Sequence, residues 1–181
     1  MLQARPIEVP GNVSRYFTDP DIAMRQPHGL LGLARSAQGH IHNELFRPEL
    51  IRYDEHYRTT SCDLARGQDW LPTLAYLPHV LDHLPDRPSI CDIGCGQGEL
   101  VHALRQRGID ARGFDPVLRR PSHGLHAAYW TPDHPDGDAD LLIMRCVLPH
   151  IQKPWSFLNM LASRRRHVLV EYQRVERLIE H

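Results

Sequence analysis

The stretch CDIGCGQGEL, residues 91–100, sets three glycines at alternate positions between an apolar run and the start of a helical pattern. Ser89–Ile93 has the composition of a short buried strand. Residues 99–107 put Leu100, Val101 and Leu104 on one face, with Gly108 as a C-terminal stop, and read as a helix. Gly94, Gly96 and Gly98 take three side chains out of the bend between them. The backbone there can adopt positive φ at low cost and come close to a ligand. Strand, bare bend and helix in that order put the bend at the carboxyl end of a strand in an α/β layer, where ligands of such sheets bind.

The alternation continues downstream. Asp110–Phe114 reads as a second strand and residues 126–130 as a weaker third. Residues 140–144 (DLLIM) are apolar on both faces, as a central parallel strand must be. Pro154–Ser163 is a helix carrying Trp155, Phe157, Leu158 and Leu161, and residues 167–172 (HVLVEY) form a fifth strand. This order predicts a Rossmann-like, doubly wound parallel sheet of about five strands with right-handed crossovers. Upstream, Leu71, Leu74, Leu77, Val80, Leu81 and Leu84 recur at three to four residues. They predict a helix that starts at Trp70 under an Asp69 cap, is kinked by Pro78, and ends at 85–88. Residues 1–50 carry weak periodicity and many turn residues. They predict an N-terminal irregular arm with one or two short helices, one of them around 29–37.

A chain of 181 residues accommodates one domain with an added arm, and 41% hydrophobic residues supply one core. With a net charge of −1 and only scattered basic runs, such as Arg164-Arg165-Arg166, there is no basic face for nucleic acid or an anionic membrane. No apolar run approaches a membrane span and no signal-peptide pattern opens the chain, so a cytoplasmic protein is expected. The four cysteines are then expected as thiols, and the Asn12-Val-Ser14 sequon has no meaning without secretion. Thirteen histidines include His40-x-His42 and His79-x3-His83. No nearby Cys or carboxylate completes either pair, so no metal site is expected there.

Two ligand classes compete for the glycine bend. A dinucleotide loop wants glycines at its first, third and sixth places. Counting from Gly94 the sixth place is Glu99, and counting from Gly96 it is Val101. Glu99 also puts a carboxylate in the first helical turn, where it repels pyrophosphate. A ligand bearing a cation suffers no such clash.

The segment Asp92-x-Gly94-x-Gly96-x-Gly98 resembles motif I of the class I S-adenosylmethionine-dependent methyltransferases. Gly113-Phe-Asp-Pro116 is similar to the family's next motif, an acidic residue at the end of the second strand. Asp115 lies 23 positions after Asp92, one strand–helix–strand step. Residues 141–151 (LLIMRCVLPHI) resemble the fourth-strand segment, and Tyr53-Asp-Glu-His-Tyr57 resembles a motif that precedes the core in small-molecule methyltransferases. The likeness covers roughly residues 50–175. It implies a division into an N-terminal arm and cofactor-lid segment, 1–68, and a methyltransferase core, 69–181.

The resemblance implies S-adenosyl-L-methionine as cofactor, with residue roles that follow from it. Asp115, followed by Pro116, would accept hydrogen bonds from both ribose hydroxyls, or else is a plain turn acid. Gly94, Cys95 and Gly96 would lie against the methionyl part. Asp92 either orders the loop or reaches the cofactor's amino group through water, and Glu99 is a helix N-terminal charge. Tyr53 and Tyr57 would close over the cofactor, or form a packed aromatic pair. Phe114 and Tyr129 would flank the adenine, unless Phe114 is core. At most one of Asp133, Asp136 and Asp138 would hold the adenine, the others being solvated loop acids.

Arg145 (a further cofactor-binding candidate), Cys146 and His150 follow the fourth strand, where the methyl should point. His150 is the candidate general base or a structural cap, with Pro149 standing where the family usually has Glu. The family's last two strands have no counterpart after residue 172. The core is therefore expected to be truncated, with a short helix at 174–181, and its fifth-strand edge exposed or covered in a homodimer. The implied activity is O- or C-methylation of a small molecule, such as a sugar nucleotide or secondary metabolite. The alternative is a non-catalytic module that binds cofactor or a partner without turnover.

Overall fold

The computed structural model describes residues 5–11, 15–54, 56–57, 71–164 and 166–171. The expected Asp69 cap and Trp70 helix start, Cys62, the Asn12 sequon, Tyr172 and the segment 174–181 lie outside the described residues. The chain divides into two compact units, Met1–Thr59 and Thr60–His181.

In the N-terminal unit, β1 (Ile7–Pro10) precedes the short helix α1 (Pro20–Met24), β2 (His28–Leu31), β3 (Leu33–Arg35) and β4 (Ile41–Asn43). β1 pairs with β2 and β3 with β4, both antiparallel. The helix expected around 29–37 is therefore two strands. Gly29 and Gly32 cost a helix about 1 kcal/mol each relative to alanine. Both are instead covered by leucines, since a Cβ would stand 2.8 Å from Leu50 Cδ1 at Gly29 and 2.9 Å from Leu45 Cδ1 at Gly32. Asn43 ties the unit together. Its Oδ1 accepts the Gly32 and Leu45 N–H groups and its Nδ2 donates to Leu30 O. α1 starts where Asp19 accepts the Asp21 N–H and Pro20 pre-sets φ.

The second unit holds α2 (Leu71–Leu81), β5 (Ser89–Ile93), α3 (Glu99–Arg105), β6 (Asp110–Phe114), β7 (Leu125–His126), β8 (Leu141–Arg145), α4 (Pro154–Ser163) and β9 (His167–Glu171). The five strands form one parallel sheet in the order β7-β6-β5-β8-β9, the expected Rossmann-like fold. The third strand is shorter and earlier than residues 126–130. Trp130 Nε1 donates to Gly137 O, so the chain leaves the sheet after His126 and joins the following loop.

Both faces of the sheet are buried. Ile90, Ala111, Leu125, Leu141 and Ile143 pack with Leu100, Val101 and Leu104 of α3 and Leu77 of α2. Cys91, Ile93, Phe114, Leu142 and Met144 pack with Leu161 of α4. At about 1.5–3 kcal/mol per large apolar side chain, this two-sided burial is what holds the short strands together. At the amino-terminal edge, Asp140 Oδ2 accepts both the Ser89 N–H and the Ser89 hydroxyl, joining β5 to β8. Strand order runs outward from β5 to β7 and then returns to β8. The switch point therefore lies between the carboxyl ends of β5 and β8.

Candidate functional site

The glycine bend lies at this switch point. Gly94, Gly96 and Gly98 have φ of 75°, 62° and 88°, a region where a side chain is strained. Two of them are bare for the protein's own sake. A Cβ on Gly94 would stand 2.3 Å from Val147 Cγ2, and one on Gly98 would stand 2.7 Å from Leu125 Cδ1. The bend is pinned to the end of β6, where Phe114 O accepts both the Gly94 and Cys95 N–H groups, at 2.7 and 3.1 Å.

Asp115 follows directly on β6 and is 6% exposed. Its Oδ2 accepts the Gly96 N–H and its Oδ1 the Val117 N–H, both at 2.9 Å. Asp at the first and Pro116 at the second place of the turn are the residues such a turn favours. Burial raises the Asp115 pKa, and the two backbone N–H groups oppose that shift. A carboxylate offers about four acceptor positions, so one backbone donor on each oxygen does not exhaust them. Gln97 closes the same turn: its Nε2 donates to Val117 O and its Oε1 accepts the Arg119 N–H.

Asp92 is fully buried one residue before the end of β5. Arg145 Nη2 approaches its Oδ2 at 3.3 Å from the end of β8. Burial pushes the Asp92 pKa up to about 6 despite that partner. Burial is the largest influence on Arg145 and works against its charge, but Asp92, Glu171 and Glu99 together outweigh it and keep the Arg145 pKa above its ordinary value. Three polar atoms of this neighbourhood are buried without a hydrogen-bond partner: Asp92 Oδ1, Arg145 Nε and Glu99 Oε2. Glu99 does open α3, as expected, but it also turns an oxygen inward. Orphaned buried groups are costly and few in native proteins, and they mark places where a bound group supplies the partner. Two orphaned carboxylate oxygens suit a cation and disfavour a polyphosphate.

The structure thus brings Asp92, Gly94, Gly96, Asp115 and Arg145 together. Cys95 sits in the same bend, but its thiol is fully buried in the α3-side core and burial pushes its pKa up. Its N–H and C=O are already bonded, to Phe114 O and the Gly98 N–H. Tyr53 and Tyr57 belong to the N-terminal unit, where their rings meet edge-on at 4.8 Å. His150 closes a 3-10 turn, Leu148–His150, just past β8. Its side chain reaches solvent, yet desolvation by the surrounding chain lowers its pKa and favours the neutral imidazole. Phe114 is core and stacks on His126, whereas Tyr129 is exposed. Of the three loop acids, Asp133 and Asp138 are exposed and pair with Arg164 and Arg166. Only Asp136 turns toward the sheet.

Sequence reasoning missed a second layer. Tyr76 Oη donates to Glu171 Oε2 at 2.5 Å, linking α2 to the end of β9. Glu171 is the register partner of Arg145, and its carbonyl accepts the Cys146 N–H at 2.7 Å. Cys146 has φ of 56°, the one positive value outside glycine among the described residues. Strained backbone of this kind clusters at functional sites. No spacing in the chain announces a contact between residues 76 and 171.

A family model described as a methyltransferase domain matches residues 53–180, more than half of the chain. No curated protein matches the sequence. Among the described residues, no helix is long and apolar enough to cross a membrane.

Proposed function

The chain belongs to the methyltransferase-domain family, and on that footing we propose that it transfers a methyl group from S-adenosylmethionine to the oxygen or carbon of a small molecule. The observation that carries this reading is the orphaned Asp92 Oδ1, buried beside a glycine bend whose next acid, Asp115, still has acceptor positions. A sulfonium nucleotide supplies what these groups lack: an ammonium for Asp92 and vicinal hydroxyls for Asp115.

Transfer is an in-line displacement. The bound sulfonium would supply a methyl group activated for displacement, its carbon–sulfur pair returning to sulfur as the acceptor's electron pair bonds the carbon. That leaving group needs no acid, so the chain's tasks are alignment, exclusion of water and removal of the acceptor's proton. His150 takes that proton in this scheme, its lowered pKa keeping the free base available at neutral pH.

The test is calorimetry and thermal shift with S-adenosylhomocysteine. Binding is expected, together with stabilisation that NAD does not give. Asp92→Asn should weaken binding by about 10- to 100-fold, as loss of a hydrogen bond to a charged group does. No binding to the wild-type chain would refute the reading. Binding without turnover across a broad acceptor screen would favour a cofactor-binding module that does not catalyse.

A further inference from the structure

Beside the crevice, on the α4 side of the sheet, lies a cluster that the proposed transfer does not use. His126 ends β7, and His134 and Asp136 sit on the loop after it, all half-buried. One donor atom from each lies within 4.8 Å of the other two. His126 Nε2 stands 2.7 Å from Asp136 Oδ2. Even so, that nitrogen is buried and makes no hydrogen bond of acceptable geometry. A ring nitrogen and a carboxylate oxygen at this distance repel unless a proton or a metal ion lies between them. A proton must lie close to the N···O line. A metal ion bound by both sits off that line, at about 2.0–2.2 Å from each.

The side chains around the cluster fix these donors in place. His126 stacks on the buried Phe114 ring at 4.6 Å and 20°. His134 meets both rings edge-on, at 4.9 Å from Phe114 and 4.6 Å from His126. Arg112 Nη1 stands 3.5 Å from the other oxygen of Asp136, in the position of an outer partner that orients a ligating carboxylate. His134 Nδ1 accepts the Asp136 N–H at 3.1 Å. That bond ties the ring to the Pro135–Gly137 turn.

We propose that His126, His134 and Asp136 bind a divalent first-row transition ion, zinc in the first place, with water as fourth ligand. Two imidazoles and one carboxylate are a donor set that suits zinc and its neighbours and does not suit magnesium or calcium. The ion serves structure. It clamps the 131–137 loop onto the end of β7, whose His126 carbonyl accepts the Asp115 N–H at 3.1 Å. The site therefore braces the strand end that carries Asp115. This inference does not depend on the methyl-transfer reading.

The experiment treats the full chain with chelator and then titrates it with Zn²⁺ by calorimetry and Co²⁺ by visible absorption. One equivalent should bind, with Co²⁺ d–d bands that are absent from the free ion, and Zn²⁺ should raise Tm. His126→Gln and Asp136→Asn should each lower affinity at least about 10-fold. His134→Asn should do the same while keeping an acceptor for the Asp136 N–H, and its circular dichroism should match wild type. His40→Gln/His42→Gln should leave binding unchanged. Lack of stoichiometric binding would overturn the proposal. So would binding that survives all three ligand substitutions or that disappears with His40 and His42.

Discussion

Asp115→Ala separates two jobs that the sequence assigns to one residue. If Asp115 served only a ligand's ribose, its loss would leave the unliganded protein as stable as before. In the structure its two oxygens each accept a backbone N–H at 2.9 Å, from Gly96 and Val117, and the residue is 6% exposed. Alanine leaves both donors without an acceptor in a buried turn. Each unsatisfied donor costs about 1–3 kcal/mol. Removing a carboxylate whose pKa burial has raised returns part of that cost. The net expected loss is about 2–4 kcal/mol. For a chain of this size that lowers Tm by roughly 5–15 °C. Asp115→Asn keeps one carbonyl acceptor and should lose about half as much. Urea denaturation followed by circular dichroism measures the loss, with an unchanged m-value showing that the unfolded state is the same. S-adenosylhomocysteine calorimetry on the folded variants then measures the ligand's share. A stability within about 0.5 kcal/mol of wild type, the range of ordinary surface substitutions, would show that the carboxylate does not hold the bend.

Gly94→Ala should cost about 2–4 kcal/mol, from a left-handed alanine and from the Val147 methyl at 2.3 Å. Adding Val147→Ala should recover only part; full recovery in urea melts would remove backbone strain from the account. At the other end of the sheet, the Ser89 N–H and hydroxyl hold the Asp140 pKa below its ordinary value. Its contribution to stability is therefore present above the unfolded-state pKa and lost as pH falls through the folded one. Ser89→Ala should cost about 1 kcal/mol at neutral pH and less in strong acid, where only the bond from the Asp140 N–H to the hydroxyl is lost; a cost independent of pH would contradict this. If His150 is the base, kcat/KM should rise with pH through a value below that of an ordinary histidine, because desolvation lowers its pKa in the free protein. His150→Gln should abolish that limb, and a profile unchanged by the substitution would free His150 from the role.

Much of the fold was legible because it is written in local periods. Alternation and run length located β5, β6 and α4 at the bounds the structure shows. The apolar run at 140–144 announced a strand buried on both faces, and β8 is that strand. Where the local signal was weak, expectation failed. The glycines and leucines of 29–37 permit several conformations, and only Leu45, Leu50 and Asn43 select strands. The glycine bend and the acid after β6 were also visible, since a bare turn and a spaced carboxylate are sequence features.

The sequence by itself thus determined which segments fold as strand or helix, and the chemistry gathered at the ends of β5 and β6. Tertiary structure alone decided that Val147 fills the space beside Gly94, that Asp115 grips Gly96, and that Arg145 reaches Asp92 on one side and faces Glu171 on the other. It also drew His126, His134 and Asp136 together. The reason is physical. Conformation along a strand or helix repeats every two or 3.6 residues and leaves its trace in the chain. Contact across a sheet depends on register and on the path of each crossover, which no neighbouring residue encodes.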